Sequence, residues 1–217
     1  MNAASPIRSA LQIPLESPRV PVEVRRHSRV LQSPLARGVA RAGIMLHYDD
    51  STRDDWSLAW FDDPRCTNGY TWLVLRDGQV IELADPALRT PHAGACRTPF
   101  ANSHFYGLAA ATNGETPVTL AQLDGLAAVC EAVMVFHGWG ADEVDARIVG
   151  HDREAIWTPE ATRAAGLSDA RGRAHWGQVG RKADPTGTRR DGRPVIDLVR
   201  LRAVVATRVR AASGGAP

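Results

Sequence analysis

Two histidines and one aspartate are placed where they could share a metal ion. His47 and His151 each follow a short apolar run, and Asp184 precedes Pro185 in a polar loop. A catalytic zinc ion takes three protein ligands and keeps a fourth position open, and imidazole and carboxylate suit this cation. Zinc lowers the pKa of a bound water and polarises a carbonyl, so such a site could hydrolyse an amide. Taken singly, each residue also has an ordinary interpretation, because strand-end histidines are more often hydrogen-bonded and aspartate before proline is more often a turn former.

The apolar runs before the two histidines predict buried strands. Residues 43–46 lead into His47, and residues 147–150 lead into His151. Strand ends at one edge of a sheet bring together residues that are far apart in sequence. Asp184 lies in a loop ahead of the last predicted helix, so the three residues are able to converge.

The remaining pattern predicts an α/β (α+β) fold with a mixed central β-sheet flanked by helices. Residues 70–75 and 80–83 flank an Asp-Gly turn and predict a β-hairpin, and residues 105–111 predict a further buried strand. The predicted helices are a short one capped by Ser51 or Thr52 that runs through Trp60, one over 119–137 with a capping box of Thr119 and Gln122, and a final one with Leu198, Leu201, Val205 and Val209 on one face.

Length and composition indicate one domain of catalytic size. We predict an extended N-terminal arm over residues 1–40, the main domain over 41–212 and a flexible tail over 213–217 of the 217 residues. A net charge of +2 creates no strong field for nucleic acid. No window approaches the roughly 18 apolar residues of a spanning helix, and no secretory signal is visible, so we expect cytoplasmic synthesis, no membrane insertion and a monomer.

Five short motifs occur in the order seen in type 2 N-acetylmuramoyl-L-alanine amidases, and the chain resembles that family from residue 43 to about 205. The motifs are Leu46-His47-Tyr48, Gly69-Tyr70-x-Trp72 leading into Arg76-Asp77-Gly78, His92-Ala93-Gly94, Val149-Gly150-His151 and Gly180-Arg181-Lys182-Ala183-Asp184-Pro185. The family includes phage lysozyme-type amidases, bacterial wall amidases and the peptidoglycan recognition proteins. The resemblance implies their fold and zinc-dependent hydrolysis of the amide between N-acetylmuramic acid and L-alanine, with peptidoglycan or a muropeptide as the partner.

The resemblance also implies roles for individual residues. His47, His151 and Asp184 match the family's zinc ligands. Tyr70 matches a tyrosine near the metal-bound water of the lysozyme-like branch, and Lys182 matches a lysine that faces the scissile carbonyl, so we predict that both are catalytic. Lys182 is the only lysine among 26 basic residues, and its compact ammonium is not interchangeable with a guanidinium.

Substrate contacts are predicted for four further side chains. His92 matches a histidine that contacts substrate peptide or bound water in the family, and Trp72 lies in the second motif. Trp157 and Trp176 lie in residues 152–181, a connection longer than is usual in the family. We predict that this segment borders the groove and binds glycan or stem peptide by aromatic stacking. An extra packing hairpin is an equally good interpretation of it.

The chain departs from the family pattern at two places. Intracellular recycling amidases carry a glutamate in the strand that corresponds to residues 105–111, where this chain has Ala109 and Ala111. Tyr70 is therefore expected to take that role. Thr71 replaces the usual His or Asn, a change that affects substrate contacts rather than the metal.

Two other functions are compatible with these residues. Some proteins of this fold have lost a metal ligand and only bind peptidoglycan, so a non-catalytic peptidoglycan-binding module is the alternative. A zinc hydrolase acting on another amide would use the same constellation. The complete ligand set, with Tyr70 and Lys182, favours the amidase. We expect it to act on the cell wall after phage-type release, as an endolysin does, or on internalised muropeptides.

Overall fold

The computed structural model describes residues 22–25, 30–94, 96, 98–154 and 193–214. Within these ranges six strands form one sheet in the order β1-β4-β3-β5-β2-β6. The strands are β1 Val22–Val24, β2 Gly43–Tyr48, β3 Trp72–Val74, β4 Val80–Glu82, β5 Phe105–Ala110 and β6 Ile148–Gly150. Strands β3 and β4 pair antiparallel and the other pairs are parallel. The predicted mixed sheet is confirmed.

The N-terminal arm contributes to this sheet, which the sequence pattern does not indicate. Strand β1 lies within the predicted arm and pairs with β4 at the sheet edge. Further along the arm, Ser33 forms an isolated antiparallel bridge with Arg89. The domain boundaries themselves stay a prediction.

The hairpin of β3 and β4 is confirmed, although both strands are shorter than predicted. Gly78 takes a φ of 91° in the turn, a conformation that favours glycine. The first strand begins at Trp72 rather than Tyr70, because the carbonyl of Thr71 accepts hydrogen bonds from two successive amides, at 2.9 and 3.3 Å. This irregular pairing interrupts the two-residue alternation of the strand just before Trp72.

Seven helical segments are described. They are α1 Asp54–Asp62, α2 Ala101–His104, α3 Leu120–Phe136, a 3₁₀ turn Ala141–Glu143, α4 Val144–Arg147, α5 His151–Glu154 and α6 Leu198–Ala212. The predicted capping box of α3 is confirmed: Thr119 Oγ1 accepts from the Gln122 amide at 3.0 Å, and Gln122 Oε1 accepts from the Thr119 amide at 3.1 Å. The predicted cap of α1 is wrong, because Arg53 occupies the N-cap position and makes no side-chain cap hydrogen bond.

Helices α3 and α6 pack together over one face of the sheet and bury the main core. The predicted apolar face of α6 is buried there, from Leu198 to Val209. Alternation along β2 points Ile44 and Leu46 into this core and turns Met45 and His47 to the opposite face. No helix in the described part of the chain is long and apolar enough to cross a membrane.

Candidate functional site

Three histidines meet on the sheet face opposite α3 and α6. The ring centroid of His47 lies 4.6 Å from that of His151 and 5.1 Å from that of His92. All three side chains are buried, with at most 6% of any of them exposed. His47 lies near the end of β2, and His151 directly follows β6, the parallel neighbour of β2. The sheet pairing therefore explains why the two predicted ligands come together.

The loop that carries His92 and Ala93 contacts the rings of both His47 and His151. His92 Nδ1 lies 3.0 Å from His47 Nε2, and His92 Nε2 lies 3.1 Å from the carbonyl oxygen of Phe105. The carbonyl oxygen of Ala93 lies 2.8 Å from His151 Nε2. Asn102 fixes the loop, since its Oδ1 accepts from the amides of His92 at 3.0 Å and Ala93 at 2.8 Å.

The environment of His92 keeps its ring neutral. Burial is the largest cause that lowers its pKa well below the usual value, and the neighbouring His47 and His151 act in the same direction. Both ring nitrogens are already engaged by protein atoms. The predicted contact of His92 with substrate peptide or bound water stays a prediction.

Tyr70 lies beside His47. Its ring centroid is 5.1 Å from that of His47, and its other side packs edge-on against Phe61 of α1 at 6.0 Å. Only 7% of Tyr70 is exposed. The predicted catalytic function of its hydroxyl stays a prediction.

A small cavity of about 50 Å³ opens next to Tyr70, lined in part by Trp56, Trp60 and Asn68. Trp56 is 57% exposed and Trp60 39% exposed. Trp60 Nε1 donates a hydrogen bond to Asn68 Oδ1 at 3.0 Å, which orients its ring. Both tryptophans belong to α1, and neither was predicted to border the site. Their four-residue spacing shortly after His47 is the signal that could have indicated an aromatic border of the site.

The predicted substrate contact through Trp72 is wrong. Its side chain is fully buried in the core beneath α3, with its ring centroid 5.4 Å from that of Tyr106. The irregular pairing at Thr71 is the physical reason, because it puts Tyr70 and Trp72 on opposite faces of the sheet. Tyr70 is directed to the histidines and Trp72 to the main core.

The two alanines that stand where the intracellular recycling amidases carry a glutamate lie close to the site. Ala109 is the cross-strand partner of His47 in the pairing of β2 with β5, and it is fully buried. Ala111 belongs to the same buried cluster as Tyr70. Strand β5 therefore offers no carboxylate beside His47, and the expected role of Tyr70 in its place stays a prediction.

Four predicted site residues lie outside the described residues: Lys182, Asp184, Trp157 and Trp176. Their roles, and the role of most of the segment 152–181, stay predictions. Among the described residues, no group of three or more His, Cys, Asp or Glu side chains is arranged to hold a metal ion. His47 and His151 nevertheless fit two of the three protein positions of a zinc site by donor chemistry, and Asp184 is the predicted third.

The fold is similar to that of solved amidase structures. The Staphylococcus aureus hydrolase AmiA, solved in complex with its ligand, is 15% identical, with a TM-score of 0.56 over 91% of this chain and 88% of that one. AmpD, solved as a selenomethionine derivative, is 18% identical, with a TM-score of 0.51 over 74% and 96%. The catalytic domain of XlyA is 12% identical, with a TM-score of 0.51 over 86% and 99%. At such identities the likeness establishes the fold alone.

Sequence comparison identifies the family. Comparison with curated protein sequences gave no match. The profile of the N-acetylmuramoyl-L-alanine amidase family, in contrast, matches residues 38–187, well over half of the chain. This region includes His47, Tyr70, His92 and His151, and it extends past Asp184. The chain therefore belongs to the N-acetylmuramoyl-L-alanine amidase family.

Proposed function

We propose that the protein is a zinc-dependent N-acetylmuramoyl-L-alanine amidase. It hydrolyses the amide between the lactyl carboxyl of N-acetylmuramic acid and the first L-alanine of the peptidoglycan stem peptide. The observation that carries the proposal is the meeting of His47 and His151, with ring centroids 4.6 Å apart, beside Tyr70. Membership of the family supports the reaction, and the buried histidine pair supports the metal.

His47, His151 and Asp184 would hold the zinc ion, a set that leaves one position open. The bound ion would supply a Lewis acid that polarises the scissile carbonyl and lowers the pKa of a water molecule. Burial of both histidines supports this chemistry, because charges interact more strongly where water is excluded.

Tyr70 and Lys182 are the residues proposed to act on the substrate. Hydrolysis breaks the carbon–nitrogen bond, leaves a carboxylate on the sugar and frees the amine of L-alanine. Negative charge develops on the carbonyl oxygen during attack, and the ammonium of Lys182 would compensate it. The hydroxyl of Tyr70 would donate a hydrogen bond at the same stage. Removing one such donor typically lowers the rate about 100-fold or more.

The test combines zinc content with wall hydrolysis in three proteins: the native chain, His151→Ala and His104→Ala. His104 is the control, because its Nδ1 bonds to the carbonyl of Ala40, away from the histidine cluster. We expect the native chain and His104→Ala to bind one zinc and to release new amino termini from purified walls, and His151→Ala to lose both properties.

Two results would contradict the proposal in different ways. Full zinc content in His151→Ala would show that the assigned metal site is wrong. Binding of walls by the zinc-loaded native chain, without release of amino termini, would support the non-catalytic binding module instead.

A further inference from the structure

The hydrogen bonds around His92 determine which nitrogen of His47 carries a proton. The carbonyl oxygen of Phe105 only accepts hydrogen bonds, so His92 Nε2, 3.1 Å away, must be the donor. In a neutral imidazole the other nitrogen is then an acceptor. His92 Nδ1 therefore accepts from His47 Nε2 at 3.0 Å, and His47 carries its proton on Nε2.

The same argument applies to His151. Its Nε2 lies 2.8 Å from the carbonyl oxygen of Ala93, the residue after His92. Since that oxygen also only accepts, His151 Nε2 must carry the proton. When the two rings are neutral, the lone pair of each predicted ligand then belongs to Nδ1.

We propose that His92 is a positioning residue that, with the carbonyl of Ala93, fixes His47 and His151 as Nε2–H tautomers and so assigns Nδ1 of each ring to the metal. The inference rests on the proposed function for the presence of zinc. The tautomers themselves are properties of the metal-free chain and are measurable on their own.

The loop is built to hold this arrangement. Asn102 bonds to the backbone amides of both His92 and Ala93, which fixes the positions of the two acceptors together. Gly107 lies under the His92 ring, where a Cβ atom would come within 2.7 Å of His92 Cγ. Metal-bound histidines commonly give their second N–H to a carbonyl or carboxylate, and loss of that partner lowers metal affinity about 10- to 100-fold. His151 follows this pattern, because its acceptor is the carbonyl oxygen of Ala93. The acceptor for His47 is instead the imidazole of His92, which is bound in turn to the carbonyl of Phe105 in β5.

Nitrogen-15 NMR of the histidine rings tests the assignment without any mutation. In the metal-free native chain, at a pH where the rings are neutral, His47, His92 and His151 are expected as Nε2–H tautomers. His104 is the internal reference with the opposite tautomer, since its Nδ1 donates to the carbonyl of Ala40 at 3.1 Å. With cadmium-113 as the metal probe, scalar coupling is expected to Nδ1 of His47 and His151. An Nδ1–H tautomer for either ring, or coupling to its Nε2, would overturn the proposal.

Two variants of His92 test its role as the acceptor. His92→Leu is expected to bind zinc about 10- to 100-fold more weakly in competition with a chelator, and to leave His47 as a mixture of tautomers. His92→Gln, whose amide offers both a donor and an acceptor, is expected to keep most of the native affinity. Native zinc affinity in His92→Leu, with His47 still an Nε2–H tautomer, would refute the positioning role and leave the proposed function intact. A native chain that binds no metal and cleaves no wall would instead refute the proposed function, while the spectra of the metal-free chain would still decide the tautomers.

Discussion

Gly107 gives the sharpest test of how the histidine cluster is held. A methyl group at this position would lie 2.7 Å from Cγ, 3.0 Å from Cδ2 and 3.1 Å from Cβ of His92. Ordinary contact begins near 3.4 Å, so the ring would have to retreat by about 0.7 Å. Its hydrogen bonds to His47 and to the Phe105 carbonyl are already 3.0 and 3.1 Å long. A shift of that size would break at least one of them.

The magnitude follows from these two effects. Overpacking a well-packed core costs about 1–3 kcal/mol, and leaving a buried polar group unpaired costs about 1–3 kcal/mol. We expect Gly107→Ala to lower the free energy of unfolding of the metal-free chain by about 2–6 kcal/mol, the sum of the two effects. Zinc affinity is expected to fall about 10- to 100-fold, because His47 loses its oriented partner.

Urea unfolding and zinc competition measure the two quantities, with Gly140→Ala as the matched control. Gly140 is partly exposed, and an added Cβ there meets only the carboxylate ends of the Asp142 and Glu143 side chains, which can move aside. That variant is expected to stay within about 1 kcal/mol of the native chain. If Gly107→Ala matched Gly140→Ala in both measurements, the His92 ring could not be held as the structure describes.

Three further predictions concern catalysis and pH. Lys182→Ala is expected to lower kcat about 100-fold or more, which corresponds to roughly 3 kcal/mol. Lys182→Arg is expected to be similarly slow, because a guanidinium does not replace the compact ammonium. Steady-state kinetics on the zinc-loaded proteins measures both values of kcat. Tyr70→Phe is expected to lower kcat about 100-fold while zinc content stays native, and native kcat would remove Tyr70 from the chemistry. The metal-free chain is expected to lose stability as pH falls below about 6.5. Burial, Arg41 and Arg147 lower the pKa of His137 in the folded chain, so the unfolded chain binds the proton more tightly, and His92 adds the same effect. Urea unfolding midpoints measured at several pH values below about 6.5 give the dependence of stability on pH. We expect His137→Gln to weaken this dependence. An unchanged dependence in this variant would show that His137 is not its cause.

The main elements of the fold were predictable because local signals agree with the tertiary structure. The capping box at Thr119 and the Asp-Gly turn at Gly78 each specify their element through local hydrogen bonds or backbone preference. The positions of His47 and His151 at strand ends were predictable for a related reason. An apolar strand that ends in a polar residue places that residue at the edge of the sheet. Their meeting additionally needed the parallel pairing of β2 with β6, which strand patterns alone do not specify.

Interactions between residues that are remote in sequence determine the features that local patterns do not predict. Trp72 looks like a partner of Tyr70 by two-residue alternation, but the irregular hydrogen bonds at Thr71 turn it into the core. The contacts of the His92 ring with Phe105 and His47 likewise form only in the folded sheet. Neither contact leaves a periodic pattern in the chain, so no local rule could have found it.

Product analysis on a defined N-acetylmuramoyl-L-alanyl peptide tests the central claim most directly. The zinc-loaded native chain is incubated with this substrate, and the products are identified by mass spectrometry. We expect two products, N-acetylmuramic acid with a free lactyl carboxyl and a peptide with a new L-alanine amino terminus. Cleavage at a different amide, or binding of the substrate by the zinc-loaded chain without cleavage, would contradict it.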